Sequence, residues 1–486
     1  MKRASGVLMH ITSLPGEYGI GTLGREAREF ARLLKDCGFS CWQILPVTEP
    51  DEYNSPYKSA SAFAGNPWLI DLEALVRKGL LHPDELAQAR QSSPYLCEFG
   101  TLASAKLTLL KTAFSRTDGA TQAKTEAFAQ RNPWVLEYAR FKALKIANHG
   151  APWQEWTLHT PDEADVAFYC FLQYEFFSQW EALKRDVNEI GIEIIGDMPI
   201  YVALDSADTY ANRDRGIFQL DEKGHAAFEA GVPPDYFAKD GQGWGNPLYN
   251  WDALKAQGYA WWIERVRHSL TMFDKVRLDH FRGMSSYWAI PAGKKPIEGE
   301  WKQGPGMDFF DALQEAIPAP GIIAEDLGDI DQDVVDLVEA SGFPGMRVFQ
   351  FAFDGDPGNP HLPYQYVNNC VAYTGTHDNN TLLGWLWELE PALRGQALRF
   401  CGFEAPDWQH GGAGNPALRA VIRTILQSGA GLVMLPVQDL CGFGADTRMN
   451  TPGISANNWA YRITWEQLGR IDKAWCLEMN QLFGRA

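Results

Sequence analysis

Lys275-Val276-Arg277-Leu278-Asp279-His280-Phe281-Arg282-Gly283 is a short alternating run that closes on an acid, a histidine and a glycine. Successive side chains of an extended strand point to opposite faces, so Arg277 and Asp279 share one face while Val276 and Leu278 share the other. The guanidinium favours the ionised carboxylate, and an acid held charged in a largely apolar setting can serve as a nucleophile. A structural ion pair at a strand end would look the same. The decision falls to whether other runs end in the same way.

Seven more apolar runs close on polar or Gly/Pro clusters: 6–10, 41–47, 192–202, 321–327, 346–353, 370–376 and 431–437. Helical periodicity fits 23–37, 178–190, 259–272, 307–316, 331–341 and 416–428, with several followed by glycine. Eight strands alternating with helices predict a parallel (β/α)8 TIM barrel rather than an open doubly wound sheet. No G-x-G-x-x-G turn or P-loop follows a strand, and the glycines of Gly19 to Gly24 are wrongly spaced for one. We expect one catalytic barrel over 1–486 with two insertions between barrel strands. After the second strand, 67–177 reads as mostly helical, with patterns over 102–114 and 134–148; after the third, 203–256 reads as loops and includes a Gly- and aromatic-rich segment at 231–245.

Composition narrows the partners. A formal net charge of -18 and the lack of any Lys/Arg run argue against nucleic acid and anionic membranes. Apolar residues make up 45% and charged ones 21%, ordinary globular usage. Eighteen tryptophans are a large share of the aromatics; flat rings fill cores and stack on sugars. Eight cysteines, at 37, 41, 97, 170, 370, 401, 441 and 476, form no C-x-x-C pair and no zinc spacing, which predicts free thiols in a reducing compartment. The first apolar run is interrupted by His10 and Pro15, too early for a signal-peptide core, and no stretch is long enough for a membrane helix. The expectation is a soluble cytoplasmic protein.

Active sites of such barrels lie at the C-terminal strand ends. The third run ends with Asp197, the fourth with Asp279 and His280, the fifth with Glu325 and Asp326, and the seventh with His377 and Asp378. Acids are rarely buried without partners, so this many near one axis exceeds what packing needs. Converging carboxylates without a nucleotide motif fit either a divalent metal site, with His280 and His377 as further ligands, or glycosyl transfer by two carboxylates. Arg277 competes with a metal. Glycosyl chemistry needs an ionised nucleophile, a protonated acid and groups for sugar hydroxyls, and the sequence offers all three.

The blocks 276–283, 323–328 and 375–379 closely resemble those of amylomaltase, the 4-alpha-glucanotransferase family related to the alpha-amylases. So do 5–8 with 12–16, 42–46, 54–57 with 61–67, 231–237 with 241–247, and 448–453 with Asn458-Trp459, in order along nearly the whole chain. The resemblance implies Asp279 as nucleophile, Glu325 as general acid/base and Asp378 as the third acid that holds the distorted sugar ring. It implies Arg277 as the group keeping Asp279 charged, His280 and His377 as substrate-binding histidines, and Tyr57 as a stacking ring. Asp197, Trp244 and Asn458 fall in matching blocks as sugar contacts. Lys58 and Ala60 depart from the family pattern beside Tyr57. The expected activity is transfer of α-1,4-glucan segments to the 4-hydroxyl of glucose or a maltodextrin, with α-1,4-glucans and maltooligosaccharides as partners and no metal or organic cofactor. Two alternatives share these residues: an α-glucan hydrolase, and a non-catalytic glucan-binding protein. Transfer over hydrolysis is expected to depend on 231–245, through Tyr236, Phe237 and Trp244.

Overall fold

Period-two alternation sends the two rows of each short strand to different cores. The computed structural model describes residues 1–234, 239–454 and 456–486. Its strands are β1 (Ala4–Leu8), β2 (Cys41–Gln43), β3 (Glu193–Met198), β4 (Phe228–Val232), β5 (Gln242–Pro247), β6 (Lys275–Leu278), β7 (Ser286–Pro291), β8 (Glu300–Gln303), β9 (Ile322–Ala324), β10 (Gly345–Val348), β11 (Cys370–Tyr373) and β12 (Leu432–Pro436). Eight of them form an all-parallel sheet in the order β10-β11-β12-β1-β2-β3-β6-β9. Its outer strands meet. Ala324 N donates to Pro344 O at 2.9 Å, and the Asp326 carboxylate accepts from Met346 N at 2.6 Å and Arg347 Nη1 at 2.9 Å. The sheet thereby nearly closes, giving the (β/α)8 barrel that the eight runs predict.

Inside, Cys41, Ile195, Ile323, Met346, Val348, Val371, Leu432 and Met434 pack together. Gln43, Asp197, Glu325 and Tyr373 come two positions further along the same inward rows. A polar layer therefore caps the apolar filling at the C-terminal strand ends. Outward residues such as Trp42, Ile194, Val276 and Leu278 join the helix–sheet core. Helix Arg25–Asp36 buries Ala27, Phe30, Ala31 and Leu34 at helical spacing, and Phe30 meets Trp42 edge-on at 5.1 Å. Helices Ala260–Met272, Gly306–Ala316, Gln332–Ser341 and Pro416–Gln427 occupy stretches where periodicity predicts them.

Three features depart from the sequence reading. Barrel strands stop several residues before the apolar runs do, because Ile200, Tyr201 and Val202 are buried in the rim rather than in the sheet. The stretch 203–256 is not all loop: β4 and β5 pair antiparallel and join β7 and β8 in a second sheet of order β5-β4-β7-β8. β4 and β5 carry three glycines and a proline between them, which hides their alternation. Third, one helix, Glu163–Glu189, runs straight across position 177. Its first half packs on the inserted helices, with Phe114 beside Phe168 at 5.6 Å and Tyr138 beside Tyr169 at 6.0 Å. Its second half packs on the barrel, where Trp180 meets Phe273 at 5.4 Å and donates to Met272 O at 3.0 Å. Burial on several sides erases the single apolar stripe that would have marked it. No helix among the described residues is long and apolar enough to cross a membrane.

Asp326→Ala tests the seam between β9 and β10. It leaves the Met346 N–H without its acceptor and the Arg347 guanidinium with the Met346 carbonyl alone, and we expect a loss of about 1–3 kcal/mol in unfolding free energy. Denaturant unfolding measures it; an unchanged midpoint would mean that the seam does not depend on this carboxylate.

Candidate active site

Arg277 sits on the inward row of β6, directly opposite Asp197 of β3 in the parallel register. Its Nη1 donates to both Asp197 oxygens at 2.9 Å and to Asp279 Oδ1 at 2.8 Å, while Nη2 lies 3.8 Å from Glu325 Oε2. One cation thus faces three acids. Burial opposes the charge on Arg277, but Asp197 and Asp279 hold its pKa well above the usual value. Asp197 has no exposed side-chain surface; burial raises its pKa against the pull of Arg277. Its remaining partner is the Tyr57 hydroxyl, which donates to Oδ2 at 2.9 Å.

Glu325, whose side chain is 10% exposed, accepts from His280 N at 2.6 Å and from Leu327 N at 3.1 Å. Burial pushes its carboxyl up to about 8, with Arg277 pulling down and Asp279 pushing further up. The His280 contact requires a backbone turn with φ 48°, a left-handed conformation that costs a non-glycine residue energy. Burial also lowers the His280 pKa to about 4, so its ring is neutral at pH 7. Trp244 of β5 stands edge-on to that ring at 5.1 Å.

The loop after β11 brings His377 and Asp378 to the same opening. His377 stacks on Tyr57 at 5.2 Å and 12°, and its Nε2 is 3.4 Å from Asp378 Oδ1. Trp459 backs both rings at 5.6 and 5.9 Å. Asp378 is the most open of the acids, at 43% against 26% for Asp279. Two residues to which the sequence reading gave no role hold it: Asn450 Nδ2 donates to Asp378 Oδ1 at 2.6 Å, and the Arg448 guanidinium donates to its backbone carbonyl. Both lie in the block 448–453, where an arginine and an asparagine close to the final barrel strand were the available signal. Beneath the acids, Tyr373 donates to Gln43 Oε1 at 2.9 Å, a buried neutral pair that the inward rows of β11 and β2 would have revealed.

Asp279, Glu325, Asp378, Arg277, His280, His377, Tyr57 and Trp244 therefore converge. Two expected sugar contacts do not reach the opening. Asp197 lies wholly beneath Arg277 and Tyr57. Asn458 spends its amide on its own loop, accepting from Thr451 N at 2.9 Å and donating to Thr451 O and Ile454 O. Tyr236 and Phe237 lie outside the described residues. Among the described residues no three His, Cys, Asp or Glu side chains are grouped to hold a metal ion. The arrangement places one carboxylate paired with a guanidinium beside a carboxyl that keeps its proton, which suits attack and proton donation at one bond.

Comparison with known proteins points the same way. The model of the 4-alpha-glucanotransferase family matches residues 9–467. A 4-alpha-glucanotransferase of Synechocystis sp. is 42% identical, with 100% of this chain and 98% of the relative covered. One from Thermus thermophilus is 43% identical over 95% of each chain. The solved structure of amylomaltase from Streptococcus agalactiae in complex with acarbose matches with a TM-score of 0.94 at 36% identity, covering 100% of both chains. Matched nearly from end to end in sequence and in fold, the chain belongs to the 4-alpha-glucanotransferase family.

Proposed function

We propose that this 4-alpha-glucanotransferase works by a retaining double displacement in which Asp279 attacks, Glu325 moves the proton and Asp378 holds the reacting sugar. The supporting observation is the charge balance around Arg277: one guanidinium cannot neutralise Asp197, Asp279 and Glu325 together. Burial pushes the acid farthest from it, Glu325 at 3.8 Å, up to about 8. In the first step Glu325 gives its proton to the glycosidic oxygen, Asp279 bonds to the anomeric carbon, and the leaving glucan departs with a free 4-hydroxyl. Burial is the main reason Glu325 is raised, and Asp279 adds to it; once Asp279 is esterified and uncharged that added repulsion disappears, and Arg277 faces Glu325 as a carboxylate. Glu325 then takes the proton of an acceptor 4-hydroxyl as that oxygen displaces Asp279. Two inversions return the α configuration.

Around the reacting ring, neutral His280 and the ring of His377 offer hydrogen bonds, and Tyr57 and Trp244 offer apolar faces. Asp197 acts beneath the site by holding Arg277 and Tyr57, and Asn458 by holding its own loop. The substrates are α-1,4-glucans and maltooligosaccharides, a reading that the acarbose complex of the streptococcal relative supports. All eight cysteines are unpaired, which supports a reducing, cytoplasmic setting. Transfer prevails over hydrolysis because the segment 231–245 presents an acceptor and limits water, with Trp244 at its end. Trimming that segment should raise hydrolysis relative to transfer; an unchanged ratio would remove it from this role.

Incubation with maltotriose should give glucose and a ladder of longer maltodextrins with little gain in reducing ends. Accumulation of shorter sugars alone would mean hydrolysis instead. Asp279→Ala should lower turnover by about 10⁴-fold or more while keeping measurable glucan affinity; retained turnover would exclude it as nucleophile. Because Glu325 must carry its proton to act as acid, kcat/KM should fall as pH rises through about 8. A profile flat to pH 10 would mean that another group supplies the proton.

A further inference from the structure

The loop that carries His377 and Asp378 is tied at both ends by one buried side chain that the steps above do not use. Asp439 is 2% exposed and lies in the short helix Val437–Cys441 that follows β12. Its Oδ2 accepts from the Thr374 hydroxyl at 2.6 Å, at the end of β11. Its Oδ1 accepts from Leu382 N at 2.7 Å, the first residue of helix Leu382–Glu388. Everything from 375 to 381 hangs between the two oxygens of a single carboxylate.

These are lengths of hydrogen bonds to an ionised acceptor, and Leu382 N–H is one of the donors that a helix start leaves without an intrahelical partner. Burial pushes the Asp439 carboxyl up to about 6, while the bonds to Leu382 and Thr374 pull it down, so these two bonds rather than a cation hold its charge. Other ties hold the loop between these ends. Asn379 Oδ1 accepts from Thr376 N and Oγ1 at 2.9 Å, Gln350 Nε2 donates to Asn380 O at 2.8 Å, and Asn450 reaches Asp378 itself at 2.6 Å. Among these ties Asp439 is the one that reaches both ends of the loop.

We propose that Asp439 is a positioning residue for the transfer reaction, which through Thr374 and Leu382 fixes where His377 and Asp378 stand against the sugar. This rests on Asp378 being the third acid. A capping role alone would alter stability and leave the rate of the folded enzyme unchanged, so the two readings separate in kinetics.

The test measures kcat and KM for maltotriose disproportionation in the purified full chain, at a temperature where circular dichroism shows each variant folded. Asp439→Ala should lower kcat by about 10²-fold, the scale of a misplacement near 1 Å, with KM changed less than about threefold. Asp439→Asn can still accept from Leu382 N and donate to Thr374 Oγ1, so it should recover kcat to within about tenfold of the parent. Thr374→Val keeps the shape and removes one tie; it should cost about tenfold in kcat, and its combination with Asp439→Ala should be slower than Asp439→Ala by less than that factor. If Asp378→Ala is inactive while Asp439→Ala keeps kcat within about threefold of the parent, the positioning role is overturned. It is overturned equally if Asp439→Asn is no faster than Asp439→Ala. Should Asp439→Ala not fold, an unchanged kcat in Thr374→Val overturns it. Full activity in Asp378→Ala would instead remove the reading of the third acid, and this inference with it.

Discussion

A guanidinium shared among three acids is the constraint on which the catalytic end of this barrel depends. Removing Arg277 from water is costly, and the cost is offset only because Asp197 and Asp279 meet it at hydrogen-bond distance. Those contacts need β3 and β6 in their observed register, with Asp197 opposite Arg277. A slip of β6 by one residue would turn Arg277 toward the helices and leave Asp197 without it. Sheet geometry and active-site charge are therefore one requirement. The neutral Gln43–Tyr373 pair beneath adds hydrogen bonding without adding charge, which leaves the proton of Glu325 as the remaining adjustable quantity.

Much of this was legible in the sequence because it follows from two periods. The eight barrel runs and most of their helices could be placed from alternation and helical spacing, and the acids at the strand ends followed from where barrels put their sites. Arg277 and Asp279 share a face because they are two residues apart, and the structure joins them at 2.8 Å. What could not be read depends on distance along the chain. Asp197 looked like a sugar contact because nothing local says that its carboxylate lies under Arg277, 80 residues away. Asn450 and Arg448 support Asp378 from more than 70 and exactly 70 residues off, respectively. Asn458 shows the opposite case, an amide in a functional block whose partners are all within its own loop. In the second sheet, β4 and β5 were missed because their glycines and proline leave little alternation.

The long helix Glu163–Glu189 bears on how the insertion relates to the barrel. Glu49, just after β2, binds Lys142 at 2.9 Å and Tyr138 at 3.1 Å, so the inserted helices are anchored at the rim as well as along the shared helix. At 27 residues this helix is a rod about 40 Å long. Cutting it at 177 would leave two new ends, each with backbone groups lacking partners and with aromatic side chains exposed. The barrel half would lose the turns that precede Trp180, and the inserted half would lose its footing on β3. One continuous helix thus belongs to both packing arrangements, so the insertion shares a structural element with the barrel rather than hanging from it as an appendage.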